Sequence, residues 1–277
     1  MNISDIIKGT RGLDIADRLC ILSFALSMKK EDVLTKPEKT LDFKDMEFIG
    51  SLMEKRKNGM PIAYITKTKE FYSEEFYVDE SVLIPRPETE LLVEEAIKII
   101  KGLPSPLRII DVGTGSGIIG ITIARHTGQR VICTDISLDA LKVAYINSRR
   151  LGISENIGFV CTDLMGSIKN HVGYDVIVAN LPYISLKEWD DISEEVKGYE
   201  PRCALLGGED GLEVYRRLID TLPGTLNNNG WFLCEVGGSQ QARAIKDMLV
   251  QRGLDVSIKR DYSGTERIVK GQWINLS

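Results

Sequence analysis

Residues 111–120 read DVGTGSGIIG. They close the apolar run LRIIDVG, so a strand leads into alternating glycines and then into an apolar helix start. Gly115-Ser116-Gly117-Ile118-Ile119-Gly120 has the G-x-G-x-x-G spacing of a nucleotide-binding turn. Alone, the pattern describes any tight strand–helix turn with a capping aspartate. Two later strand ends strengthen it. Asp135 closes RVICTD, where a carboxylate is placed for ribose hydroxyls. Asp163 and Leu164 follow the strand IGFVC, where an acid can accept from an adenine amino group and leucine can pack on its ring. NAD and S-adenosyl-L-methionine satisfy these features equally. Asp111 separates them: facing the turn, its carboxylate repels a pyrophosphate but suits the ammonium of a methionine moiety, directly or through water and backbone donors. The turn is therefore read as a site for S-adenosyl-L-methionine.

Strand, turn and helix alternate outward from this turn. RVICTD precedes a helix over about 138–150; IGFVCTD and YDVIVAN are further strands. GLEVYRRLIDTL is a helix, GWFLCEVG a strand, QQARAIKDMLVQRG a helix, and DVSIKRDY and ERIVKGQWI close the chain as strands. Such alternation predicts a mostly parallel, doubly wound α/β sheet. Upstream the period is different. Apolar residues in LDIADRLCILSFALSM and DFKDMEFIGSLMEKRKNG recur at helical spacing, and the first sixty residues contain no strand pattern. Residues 70–84 are aromatic and branched with a polar break at Ser73, which predicts a hairpin. Pro85 and Pro87 then fix an extended lead-in to a helix beginning at Glu88 to Glu90. The expected domains are a helical segment over 1–65, a hairpin and linker over 66–87, and a catalytic domain over 88–277.

Hydrophobic residues make up 43% of the 277, enough for a sizeable core, and the net charge is −5. That balance argues against gripping nucleic acid by its phosphates, so no direct nucleic-acid partner is expected. The cysteines (Cys20, Cys133, Cys161, Cys203 and Cys234) are scattered and odd in number, and read as buried thiols of a reducing cytosol. No Cys-x-x-Cys occurs, and His126 and His171 are the sole histidines, so no metal is expected; both histidines read as solvated and without a role. Lys55-Arg56-Lys57 reads as an exposed helix face. No apolar run is long enough for a membrane span, and the start lacks a secretory apolar stretch. The expected location is the cytoplasm.

Asn180-Leu181-Pro182-Tyr183 ends the fourth strand, beside the glycine turn. In an open α/β sheet, ligands sit beyond the strands' carboxyl ends, so Asn180 is placed to face a transferable methyl group. An amide or aromatic amine is a poor nucleophile because its lone pair is delocalised. Two fixed acceptors can hold its N–H groups and aim the lone pair. The Asn180 side-chain oxygen supplies one and the Leu181 carbonyl the other, since Pro182 holds Leu181 extended. Tyr183 offers a flat wall. A bare strand exit into a proline turn is the alternative.

These residues resemble the amino-methyltransferase motif [Asn/Asp/Ser]-Pro-Pro-[Tyr/Phe]. PIAYI, FYVDESVLIPRPETE, DVGTGSG, NLPYI and YEPRCALLGGEDGLEVYRRLI, in that order from Pro61 onward, are similar to the PrmC/HemK family of release-factor glutamine methyltransferases. The resemblance implies a class I (Rossmann-like) S-adenosylmethionine-dependent sheet with a small N-terminal helical domain joined by a β-hairpin. It implies methylation of the glutamine side-chain nitrogen (N5) in the Gly-Gly-Gln motif of peptide-chain release factors, which become the protein partners. It assigns Gly113, Thr114, Gly115, Ser116 and Gly117 to the methionine part, Asp135 to the ribose and Leu164 to the adenine. Asn180, Leu181, Pro182 and Tyr183 would hold the glutamine, with Phe71 and Arg86 lining the site; Arg86 could equally brace the linker. Glu200-Pro201-Arg202 would shape the substrate loop. The sequence departs from the family at Leu181, where a proline is usual, and at Lys67 and Ser73, where glycines are frequent. Asn-Leu-Pro-Tyr also occurs in rRNA adenine dimethyltransferases, so adenine N6-methylation of nucleic acid is the second reading. A non-catalytic adenosylmethionine-binding scaffold is the third, and Asn180, Pro182 and Tyr183 argue against it.

Overall fold

The structure is a computed structural model describing residues 1–9, 12–166, 168 and 173–274. His171 lies outside the described residues, so its expected idleness has no structural counterpart. The chain forms two compact units. The smaller joins Met1–Thr68 to the separate segment Ser193–Tyr199; the larger holds Lys69–Ile192 and the chain from Glu200 onward.

The smaller unit is helical: α1 (Ile3–Gly9), α2 (Ile15–Ala25), α3 (Lys30–Thr35), α4 (Phe43–Lys57) and α5 (Ile62–Thr66). Asp14 and Asp42 cap α2 and α4 by accepting from the backbone three residues on. The inward stripe, Ile21, Leu22, Ile49, Leu52 and Met53 among others, forms its own core. Arg56 differs from the exposed helix face expected. It donates to Asp17 Oδ2 at 2.5 Å and to Glu195 Oε2 at 2.9 Å, which ties in the returning segment 193–199.

In the larger unit, β1 (Thr68–Phe71) and β2 (Glu74–Tyr77) form the hairpin; residues 78–84 carry no strand. Tyr72 and Ser73 turn it with φ of 53° and 60°. Lys67, the residue after α5, also has a positive φ of 57°. Lys67 and Ser73, where the resemblance led to an expectation of glycine, thus hold a left-handed backbone with L-residues. Ser73 is exposed and strained by its positive φ, so Ser73→Gly is expected to stabilise the protein by about 0.5–1 kcal/mol. The measurement is the urea midpoint at unchanged slope, and a lower midpoint would contradict the strain.

Then come α6 (Thr89–Gly102), β3 (Ile109–Val112), α7 (Ile118–Thr127), β4 (Val131–Asp135), α8 (Leu138–Arg150), β5 (Ile157–Cys161) and β6 (Tyr174–Ala179). Two short helices follow, α9 (Leu186–Trp189) and α10 (Glu194–Tyr199), the latter in the smaller unit. The chain closes with α11 (Glu213–Thr225), β7 (Leu226–Glu235), α12 (Ser239–Gln251), β8 (Leu254–Arg260) and β9 (Glu266–Trp273). The sheet order is β5-β4-β3-β6-β7-β9-β8, parallel except for β9, which runs antiparallel to both neighbours. This is the Rossmann-like arrangement the sequence pattern predicts. Winding changes side between β3 and β6, where such sheets bind ligands at the strands' carboxyl ends.

The two-residue period sorts the sheet. Ile109, Val176, Val178 and Leu233 pack under α6 and α7, whereas Ile110, Ile177, Ala179 and Phe232 pack under α11 and α12. The same parity places Asp111, Asn180 and Glu235 on the α6–α7 side. Among the cysteines, Cys133 and Cys234 are buried as expected; Cys161 and Cys203 are exposed and Cys20 is half-buried, so burial does not describe the set. His126 is exposed, yet its ring meets Tyr72 edge-on at 4.9 Å.

Candidate active site

A cleft in the larger unit opens where winding changes side. Its walls bring together the glycine turn, Asp135, Asp163, Leu164, Asn180, Leu181, Pro182 and Arg86, residues far apart in the chain. The turn is held from behind: Gly113 and Thr114 donate their N–H groups to the Thr134 carbonyl at 2.9 and 2.8 Å. Gly113 has a φ of 75°, and a Cβ there would meet Leu181 Cδ2 at 2.7 Å. Glycine at this position therefore lets the turn and the Asn-Leu-Pro-Tyr segment lie against each other. Over Gly115, by contrast, an added Cβ would meet nothing within 4 Å, so this face of the turn is open.

Asp135 lies at the tip of β4. Its Oδ2 accepts from Gly115 N and its Oδ1 from Ser137 N, both at 2.9 Å. Burial raises its pKa, and the backbone donors at Ser137, Gly115 and Ile136 oppose that shift. Asp163 also reaches the cleft, where Arg217 donates to its Oδ2 at 2.5 Å. Leu164 follows with φ 51°, a left-handed conformation that a leucine side chain rarely adopts. Strain of this kind persists where the surroundings fix it, and here it presents the leucine to the cleft.

Asp111 differs from the sequence expectation. It is fully buried and does not form the cleft wall. Its Oδ2 accepts from Thr114 Oγ1 at 2.6 Å and from Gly120 N at 3.0 Å, which anchors the turn to the start of α7. Its Oδ1 has no partner among the described residues. Burial pushes the Asp111 pKa up to about 7 despite those two donors, and the nearby Asp135 adds to the rise.

At the end of β6 the Asn180 amide donates from Nδ2 to Thr89 Oγ1 at 3.2 Å. No described residue donates to its Oδ1 or to the Leu181 carbonyl. The Leu181 N–H donates to the Tyr215 hydroxyl at 3.0 Å, and that hydroxyl donates to the Glu235 carbonyl at 2.5 Å. Tyr215 thus ties the exit of β6 to the end of β7. The two free acceptors lie on neighbouring residues, opposite the turn.

Two further expectations change. Phe71 is buried in the core against Phe76 and is not on the cleft wall. Tyr183 forms no part of the wall either; its ring packs near Gly237, and Gln241 donates to its carbonyl at 2.6 Å. Both aromatics are taken up by packing that a local pattern does not reveal. Arg86 reaches the cleft but donates to buried Glu200 at 2.5 Å, and Glu200 also accepts from Ile84 N at 3.1 Å. The brace alternative fits this geometry, with Glu200 pinning the linker. Thr89, Tyr215, Arg217 and Glu235 were not expected at the site. The one sequence signal among them was Glu235, an acid at the end of the apolar run WFLCEV.

The site suits adenosylmethionine. Space lies open over Gly115, Asp135 and Asp163 stand on the wall, and the unpartnered Asp111 oxygen lies beneath the turn. These acids match a cationic ligand better than a pyrophosphate.

The PrmC N-terminal domain family matches residues 12–66, and the ribosomal protein L11 methyltransferase (PrmA) family matches residues 92–197. The release factor glutamine methyltransferase of Chlorobaculum tepidum is 39% identical over 255 residues, covering 89% of this chain and 86% of that protein. The protein of the same name from Clostridium acetobutylicum is 35% identical over 256 residues, covering 91% of this chain and 89% of that one. Among solved structures, a methyltransferase from Pyrococcus furiosus superposes with a TM-score of 0.56 at 16% identity, covering 81% of this chain and 98% of that one, a likeness of fold. Matched over most of its own length and most of theirs, the chain belongs to the release factor glutamine methyltransferase family.

Proposed function

We propose that the protein transfers a methyl group from S-adenosylmethionine to the side-chain amide nitrogen of the glutamine in the Gly-Gly-Gln motif of peptide-chain release factors. One observation carries this reading beyond family membership. Asn180 and Leu181 both line the cleft, and the Asn180 Oδ1 and the Leu181 carbonyl accept from no described residue, which offers a primary amide one acceptor for each of its two N–H groups. The turn 113–117 holds the methionine part, Asp135 the ribose, and Asp163 and Leu164 the adenine. When bound, adenosylmethionine supplies an electrophilic methyl carbon. Asn180 and Leu181 grip the glutamine amide by its protons and turn the nitrogen lone pair toward that carbon. Alkylation makes the nitrogen acidic, so its proton leaves without a strong base.

The helical unit would bind the release factor, since a cleft alone cannot select one glutamine among many. A cytoplasmic location goes with this reading, since the release factor it would methylate acts there. No helix among the described residues is long and apolar enough to cross a membrane.

Labelled methyl transfer tests the reading with three acceptors: an intact release factor, the same factor with its motif glutamine replaced, and ribosomal RNA. Label on the first alone is the expected result. Label on the RNA would move the assignment to adenine methylation.

A further inference from the structure

The Asn180 side chain has nearly the same shape with its oxygen or its nitrogen outward. If the NH2 group faced the cleft, it would meet the substrate amide donor to donor. Something buried behind it must set the orientation. Thr89 and Glu235 stand there. Thr89 opens α6, Glu235 closes β7, and both are buried, on the sheet side that also carries Asn180.

We propose that Thr89 and Glu235 are positioning residues that hold the Asn180 NH2 group inward, so that Oδ1 alone faces the cleft. This rests on Asn180 acting as an amide acceptor, as described above. Asn180 Nδ2 donates to Thr89 Oγ1 at 3.2 Å. That leaves the single Thr89 hydroxyl proton free to be given onward. In the parallel pairing of β6 with β7, Ala179 stands opposite Cys234, so Asn180 and Glu235 are the next residues of the two strands, on one side of the sheet, and the Glu235 carboxyl is held down by hydrogen bonding from Thr89 and Asn180. An ionised carboxylate only accepts, so the sequence of donors runs one way, from Asn180 inward to Glu235. Packing does not explain a carboxyl here. Glu235 Oε2 has no partner among the described residues, and an apolar side chain would avoid that desolvation.

The arrangement is sensitive to pH. Burial pushes the Glu235 pKa up to about 7 against the hydrogen bonds from Thr89 and Asn180 and the charge of Arg267 on β9; Glu88, just before α6, raises it further. The other titratable groups around it are Tyr183 after β6, Tyr215 on α11 and Cys234 on its own strand, all with pKa values raised by burial. Arg267 is itself held by Asp261 and by the carbonyls of Val236 and Gly237. Protonated, Glu235 becomes a donor and the one-way order is lost. The Asn180 orientation is therefore fixed above about pH 7 and released below it.

The experiment compares wild type with Glu235→Gln, Thr89→Val and Thr89→Ser. The first readout needs no substrate: the Asn180 side-chain NH2 signals in the nuclear magnetic resonance spectrum, followed from pH 5.5 to 8.5. The expected result is a titration centred near pH 7 in wild type that is absent from Glu235→Gln. In activity, one group titrating near 7 gives roughly a tenfold rise in kcat between pH 6 and 8 in wild type, and Glu235→Gln flattens it. Thr89→Val is expected to lower kcat at least tenfold with the adenosylmethionine KM within twofold, a split that general unfolding would not give. Thr89→Ser restores kcat. Asn180 signals indifferent to pH, an unchanged acid limb in Glu235→Gln (which would point to Asp111), or a wild-type kcat in Thr89→Val would each overturn the proposal. If wild type transfers no methyl to any release factor, the proposed function fails, and the magnetic resonance readout still decides this one.

Discussion

Replacing Asn180 by alanine should lower kcat about a hundredfold or more while adenosylmethionine binds with nearly unchanged affinity. The Oδ1 atom accepts from no described residue, and it is already oriented by Thr89 before any substrate arrives. Removing a preorganised partner of the transition state typically costs roughly 3 kcal/mol. Alanine also leaves the Thr89 hydroxyl without its donor, so the inner network loosens with the acceptor. The turn at 113–117 is held independently, through Thr134, Asp111 and Asp135. Cofactor affinity therefore separates from chemistry. Single-turnover transfer and calorimetry on the same preparation check this. A kcat within a few-fold of wild type would remove Asn180 from the reaction.

Asp135→Ala should have the opposite signature. Its carboxylate is expected at the ribose, and it also receives the N–H groups of Gly115 and Ser137. Alanine deletes the ribose contact and unfastens the open face of the turn together. Hydrogen bonds to a charged group contribute about 1.5–3 kcal/mol, so the adenosylmethionine Kd should rise roughly ten- to a hundredfold. The ribose is held equally before and during transfer, so kcat at saturating cofactor should stay within a few-fold. An unchanged Kd by calorimetry would sink the assignment.

The central sheet was readable because β3, β4 and β7 are apolar runs that stop at a glycine or an acid and β6 is one that stops at an amide, and each long helix repeats at 3.6 residues. Short helices such as α9 and α10 offer too few turns for a period to emerge. The reversal of β9 between β7 and β8 depends on which edge is free, and no local pattern encodes that. At the site, residues on the loops were legible and those behind them were not. Phe71 and Tyr183 looked like walls because aromatic residues beside a motif invite that reading, yet core packing claims Phe71 and contacts near Gly237 and Gln241 take up Tyr183. Asp111 sits one period from Ile109 and so faces α7 and Gly120, a consequence of strand parity that its glycine-rich setting concealed. Thr89 looked like an unremarked helix start in PRPETE, and only the fold brings it to Asn180. Leu181 in place of proline has a visible counterpart, because its N–H reaches Tyr215 and a proline would have none to give.

The return of residues 193–199 to the helical unit bears on how this protein can be taken apart. The helical unit is not a prefix of the chain but a discontinuous body whose last piece lies within the stretch that follows Asn180-Leu181-Pro182-Tyr183. A cut near residue 61 would remove α4 and with it Arg56, the shared partner of Asp17 and Glu195, and would strand α10 without the contact that Tyr199 makes to the Asn58 carbonyl. Chimeras between relatives face the same constraint. An exchange of residues 1–68 alone sets a foreign α4 against a native α10, whereas moving 1–68 together with 193–199 keeps the body whole. Substrate preference grafted between family members should therefore travel with two segments of sequence, not one.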